Sequence, residues 1–149
     1  MNHLTLMTVL TTFVTSSVLA QVEVKDPWVR ASVPAQNATG AFLELTAKED
    51  ARLVAARSPV ARTVEIHEMK MEGVVMKMRA IPGLDLPAGK PVALTPSGYH
   101  IMLLGLKSQV KVGDSVPLTL VVETREGKQE IEVNAQVKPL GEAHGHHHH

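Results

Sequence analysis

The sequence predicts an all-β domain of the sandwich or barrel class. Three observations carry that expectation. Short runs of β-branched and apolar alternation recur from Val22 to Val137, and Pro, Gly, Asn and Asp interrupt them at close intervals. No stretch of that region holds a convincing apolar period of 3.6 residues. Many short strands with turn signals between them suit stacked or closed sheets.

Taken in order, Val22–Ser32 and Gly40–Ala47 read as strands around a turn at Pro34-Ala35-Gln36-Asn37. Arg52–Ser58 is a shorter strand. Thr63–Met71 and Val74–Ala80 flank Glu72-Gly73, and Pro91–Thr95 and Gly98–Leu106 are split by Pro96-Ser97-Gly98. Val116–Thr124 and Lys128–Val137 flank Arg125-Glu126-Gly127. Leu86–Ala88 and Lys107–Asp114 read as loops. There is no internal repeat and no interdomain linker, so the chain of 149 residues is expected to hold one domain.

Three segments are expected. Residues 1–20 read as a signal peptide or leader: Leu4 to Ala20 has no charged side chain and ends Val18-Leu19-Ala20, which suits cleavage before Gln21 and export to the periplasm or another extracytoplasmic space. The run is too short and polar for a stable membrane span. Residues 21–139 form the β domain, and residues 140–149 form a His-rich tail, either native or a purification tag. The 15 basic and 15 acidic side chains balance, so no long-range field favours nucleic acid. The absence of cysteine excludes a disulfide framework, a thiol nucleophile and a blue-copper centre.

The chemistry concentrates in one region. Of the 7 methionines, Met1 and Met7 lie in the leader; the other five fall between Met69 and Met102, interleaved with His67 and His100. A thioether is a neutral, soft donor that hard cations ignore and copper(I) accepts. If Glu72-Gly73 centres a two-residue hairpin turn, Gly73 supplying positive φ at the second position, then His67 faces Met78, Met69 faces Met76 and Glu68 faces Lys77. Side-chain alternation then puts His67, Met69, Met76 and Met78 on one face. His100 and Met102 share a face of another strand, with Tyr99, Ile101 and Leu103 on the opposite, buried one. The expected metal ligands are therefore His67, Met78, His100 and Met102, binding copper(I). Met69, Met71 and Met76 are auxiliary contacts or, alternatively, packing and docking surface.

These residues carry a resemblance. His67, ten residues, Met78, twenty-one residues, then His100-x-Met102 closely resembles the signature of the PCu(A)C family of copper chaperones. The similarity extends to Trp28-Val29-Arg30-Ala31, Gly40-Ala41-Phe42-Leu43 and Gly113-Asp114-Ser115-Val116-Pro117, covering roughly Val24 to Val133. The resemblance implies a cupredoxin-like Greek-key β-sandwich with an exposed copper(I) site. It also implies carriage of copper to the dinuclear copper centre of cytochrome c oxidase. The implied partners are the copper domain of subunit II and Sco-type thiol proteins.

Other functions would draw on the same residues. Periplasmic copper sequestration needs the same ligands, and a plain interaction sandwich would use the methionines as packing. An enzyme is not expected: a catalytic copper must cycle between oxidation states, and two thioethers favour copper(I). No Ser-His-Asp arrangement or paired acid stands out. In the tail, His144, His146, His147, His148 and His149 are candidate copper(II) ligands. A monomer is expected.

Overall fold

The computed structural model describes residues 21–139. The expected leader and the His-rich tail, including His144 and His146 to His149, lie outside the described residues. Ten strands follow in chain order: β1 Val22–Arg30, β2 Ala38–Ala47, β3 Ala51–Arg57, β4 Ala61–Glu72, β5 Val75–Ala80, β6 Leu84–Leu86, β7 Val92–Leu94, β8 His100–Leu106, β9 Ser115–Thr124 and β10 Gly127–Lys138. Among the described residues there is no helix, hence none long and apolar enough to cross a membrane. The all-β expectation holds.

The strands pair along one path, β5-β4-β8-β2-β1-β10-β9-β3-β6, with β7 pairing β2 off that path. The β1–β10 pair is parallel and every other pair is antiparallel. The path folds back on itself. Leu45, Ile101 and Leu103 from its first half share one core with Leu53, Leu118 and Leu120 from its second. Burying each such side chain contributes about 1.5–3 kcal/mol, which fixes β8 and β2 as the rigid floor beneath their outer faces.

Three local features differ from the sequence reading. The first is β6, which pairs Leu84 with Leu53 and Leu86 with Ala51. Both its leucines are buried, so Leu86, expected in a loop over Leu86–Ala88, ends a strand instead. The second is Tyr99, expected in the core but 40% exposed, because β8 begins only at His100.

The third is the register of the β4–β5 hairpin. Glu72 pairs with Val75, Met71 with Met76 and Met69 with Met78, so His67 faces Ala80 rather than Met78. The cause is the turn. Its two loop residues are Gly73 and Val74, with Gly73 at φ 62. Glycine thus takes the first turn position, as a type II′ turn requires, not the second. This moves the register by two residues. An even shift leaves every side chain on its expected face, so the methionines still share a face with His67. The charge pairing changes too: Glu68 takes Arg79 at 2.6 Å, and Lys77 reaches Glu72 at 3.0 Å.

A bulge in β1 shapes that same face. Lys25 pairs with Glu44, but Trp28 pairs with Phe42, so β1 holds one extra residue around Asp26 (φ 50) and Pro27. The extra residue inverts the alternation. Val22 points to the core before the bulge and Val29 after it. Trp28 is thereby turned outward onto Phe42, with ring centroids 4.5 Å apart. Phe42 in turn fills the space above Gly40, where a Cβ would lie 2.7 Å from the ring's Cζ. Replacing Gly40 by Ala should push this ring aside and cost about 1–3 kcal/mol, measured by chemical denaturation; an unchanged midpoint would show that the ring yields freely.

Candidate metal centre

The antiparallel β4–β8 pair sets His67 directly opposite His100 and Glu65 opposite Met102. Directly opposed side chains hold their Cβ atoms about 5 Å apart. The imidazole centroids are 5.7 Å apart, and both histidines are buried, at 7% and 4% exposure. On the other edge of β4, Met69 faces Met78 and, one rung further out, Met71 faces Met76. β2 closes the floor, with Gly40 opposite Met102 and the Phe42 ring 6.4 Å from that of His100. Met69, Met78, His100 and Met102 line one cleft of about 330 Å³, with Arg30 and Phe42 on its wall. A larger groove, about 450 Å³, lies beside Glu68, Arg79, Lys90 and Tyr99 and holds neither histidine nor thioether.

The polar atoms of the two histidines are arranged differently. His100 Nδ1 lies 2.9 Å from the Gly98 carbonyl and donates to it. Its Nε2 is then unprotonated in the neutral ring, and that nitrogen sits 2.9 Å from Met78 Sδ. His67 places Nε2 2.6 Å from the Glu65 carboxylate, while its Nδ1 is buried with no partner. Burial lowers the pKa of His100 below 6.5; the Gly98 bond opposes this, while the charges of His67 and Arg30 add to it. His100 is therefore neutral at pH 7, with a bare nitrogen facing a bare sulfur.

The arrangement can hold a soft cation. Two lone-pair donors at 2.9 Å repel unless a proton or metal lies between them, and neither atom carries a proton. Among the described residues no three His, Asp and Glu side chains gather into a hard-donor site, and the side-chain donors beside His100 in the cleft include the thioethers of Met69, Met78 and Met102. Of the expected set, His100 meets Met78 directly, the His67 ring lies beside that of His100 without lining the cleft, and Met102 lines the cleft with His100 and Met78. Met69 joins them there. Met71 and Met76 stay at the hairpin tip, 55% and 47% exposed. The sequence reading overlooked Glu65, although Glu65-x-His67 has the spacing that puts two side chains on one strand face.

The His100 environment has a pH consequence. Its folded-state pKa lies below 6.5. Between those two values the unfolded chain binds the extra proton, so stability falls as pH drops from 6.5 toward the folded value. In the metal-free protein, NMR should show the His100 ring titrating below 6.5, and the denaturation midpoint should decline over that window. Titration at or above 6.5 would contradict the burial argument.

Several known proteins resemble this chain in sequence or fold. Residues 22–137 match a family model described as "Putative lipoprotein LpqE-like". The chain is 33% identical over 100 residues to "Putative lipoprotein Lxx21020" of Leifsonia xyli subsp. xyli (strain CTCB07), a match spanning 66% of this chain and 60% of that relative. Apo-DR1885 of Deinococcus radiodurans is 28% identical, with a TM-score of 0.60 over 95% of this chain and 99% of its own. CuI-DR1885 is 30% identical, with a TM-score of 0.57 over 83% and 80%. The copper-bound PCuAC domain of PmoF2 shares the fold, at 22% identity and a TM-score of 0.66 over 83% and 97%. The fold is thus the cupredoxin-like one expected from the PCu(A)C resemblance, and by the match over residues 22–137 the chain belongs to the LpqE-like family.

Proposed function

We propose that this protein is an extracytoplasmic copper(I) carrier whose cargo is held by His67, Met78, His100 and Met102. The observation that carries the reading is the 2.9 Å approach of His100 Nε2 to Met78 Sδ, two lone-pair donors that a soft monovalent cation would reconcile. Thioethers and neutral imidazoles select copper(I) over harder ions. The likeness to CuI-DR1885 supports the same metal and oxidation state, and the lipoprotein description of the family supports export.

The donors also suit release. Thioethers need no deprotonation and cannot be lost to disulfides outside the cytosol. An acceptor with cysteine thiolates binds copper(I) more strongly, so ligand exchange runs downhill toward it. The dinuclear copper centre of cytochrome c oxidase subunit II is such an acceptor, with Sco-type proteins as co-workers, as the PCu(A)C resemblance implies. Met69 offers a further sulfur inside the cleft. Met71 and Met76 supply an exposed apolar tip beside Val74, itself 95% exposed, on which an acceptor can dock.

The deciding experiment combines spectroscopy and transfer. X-ray absorption at the copper edge on the copper(I)-loaded protein should show sulfur and imidazole scatterers. His100→Ala and Met102→Ala should each lose part of that shell. A shell without sulfur would overturn the reading. Mixing the loaded protein with an oxidase copper domain should move the metal; full retention would favour sequestration instead. Peroxide should also weaken binding, because Met78 is 48% exposed and its sulfoxide is a poor soft donor. Unchanged affinity after verified oxidation of Met78 and Met102 would remove Met78 and Met102 from the ligand set.

A further inference from the structure

We propose that Glu65 is a positioning residue that fixes the tautomer of His67, so that His67 takes the metal through Nδ1 while His100 takes it through Nε2. The proposal rests on the copper(I) reading above and adds an atom-level assignment to it.

The starting point is proton accounting. A neutral imidazole carries one N–H and one bare nitrogen. The Glu65 carboxylate only accepts, and at 2.6 Å from His67 Nε2 it requires the proton to be there. That leaves Nδ1 with a lone pair. Nδ1 is buried and has no hydrogen-bond partner, the one such side-chain atom among the described residues. A buried polar atom without a partner is costly, and a metal ion is the partner that a bare nitrogen on a ring beside that of His100 would take.

The strand geometry maintains the arrangement. Glu65 and His67 are two residues apart on β4 and so share a face. Glu65 is also directly opposite Met102 across the β4–β8 ladder. The carboxylate therefore flanks the ligand set, and its own side chain is 39% exposed while that of His67 is 9% exposed. It sits at the rim while the ring it holds stays in the interior. His100 is fixed the other way round, with the Gly98 carbonyl holding Nδ1–H and leaving Nε2 bare. Each histidine thus has one nitrogen committed to an outer acceptor and one free, but the free atoms differ. Outer partners of this kind orient a ligand ring and raise its basicity, and their removal typically costs 10–100-fold in affinity. With copper(I) bound, the carboxylate would also offset the ion's positive charge, which the neutral thioethers and imidazoles leave uncompensated.

Silver(I) is a diamagnetic probe of the same softness, and its coupling to imidazole nitrogen identifies the bonded atom. In ¹⁵N-histidine-labelled protein without metal, His67 should be the Nε2–H tautomer. On silver(I) loading, ¹⁰⁹Ag–¹⁵N coupling should appear on Nδ1 of His67 and on Nε2 of His100. Coupling on Nε2 of His67 would overturn the proposal, since the metal would then displace Glu65. Glu65→Ala should give mixed His67 tautomers and weaken silver(I) and copper(I) binding by about 10–100-fold. Glu65→Gln, whose amide oxygen can still accept from Nε2–H, should restore the tautomer and most of the affinity. Equal loss in both variants with an unchanged tautomer would assign Glu65 a structural role only. Absence of coupling at both histidines, with no shift of the Met78 and Met102 methyl signals, would instead defeat the copper(I) reading itself.

Discussion

The pairing of β4 with β8 is the constraint on which the site depends. One ladder places His67 opposite His100 and Glu65 opposite Met102. Its inner face is locked by Ile66, Ile101 and Leu103, all buried in the common core. A slip of β8 by one residue would carry His100 to the inner face and Ile101 and Leu103 to the outer one, a loss of several kcal/mol in burial alone. The hydrophobic effect, acting on residues that never touch a ligand, thus fixes the spacing of the two imidazoles. The bulge in β1 completes the outer face, because it turns Trp28 away from the core and against Phe42.

Electrostatics at the site follow from that packing. Burial keeps His100 neutral, and the backbone carbonyl of Gly98 decides which of its nitrogens stays bare. Positive charge close by, from Arg30 and Lys138, is engaged with aromatic faces: the Arg30 guanidinium is 5.6 Å from the Phe42 centroid and the Lys138 ammonium 5.4 Å from that of Trp28. The cleft therefore presents sulfur and nitrogen lone pairs, with the Arg30 cation stacked at its wall. On the proposed reading such a surface suits a soft monovalent ion better than hard divalent ones, which would need more oxygen than it offers.

Much of this was legible in the sequence, for physical reasons that can be named. Strand alternation alone put His67 with Met69 and His100 with Met102, and donor softness named the metal class. The strands around the site were found because their apolar residues alternate, whereas β6 escaped because two buried leucines between Pro82 and Pro87 are too short a run to show a period. The hairpin register was misjudged because a glycine can serve at either turn position, and the sequence does not say which. The error was harmless to the face and harmful to the partners: Met78 meets Met69 across the ladder and reaches His100 only by spanning past β4. Glu65 went unread because a carboxylate beside a histidine on a strand looks like surface charge until the ring's other nitrogen is seen to be buried.

The exposure of β5 carries a consequence for rates. All six of its residues face solvent, and it is the outermost strand of the path, so Met78 stands on a ribbon held by β4 alone. His67 and His100 stand on strands pinned by the core. A cation bound among them would have a stationary half and a half that can swing away without disturbing any buried contact. Dissociation could then proceed one bond at a time, each vacated position open to an incoming donor, so that the lifetime of the bound state need not follow its equilibrium affinity.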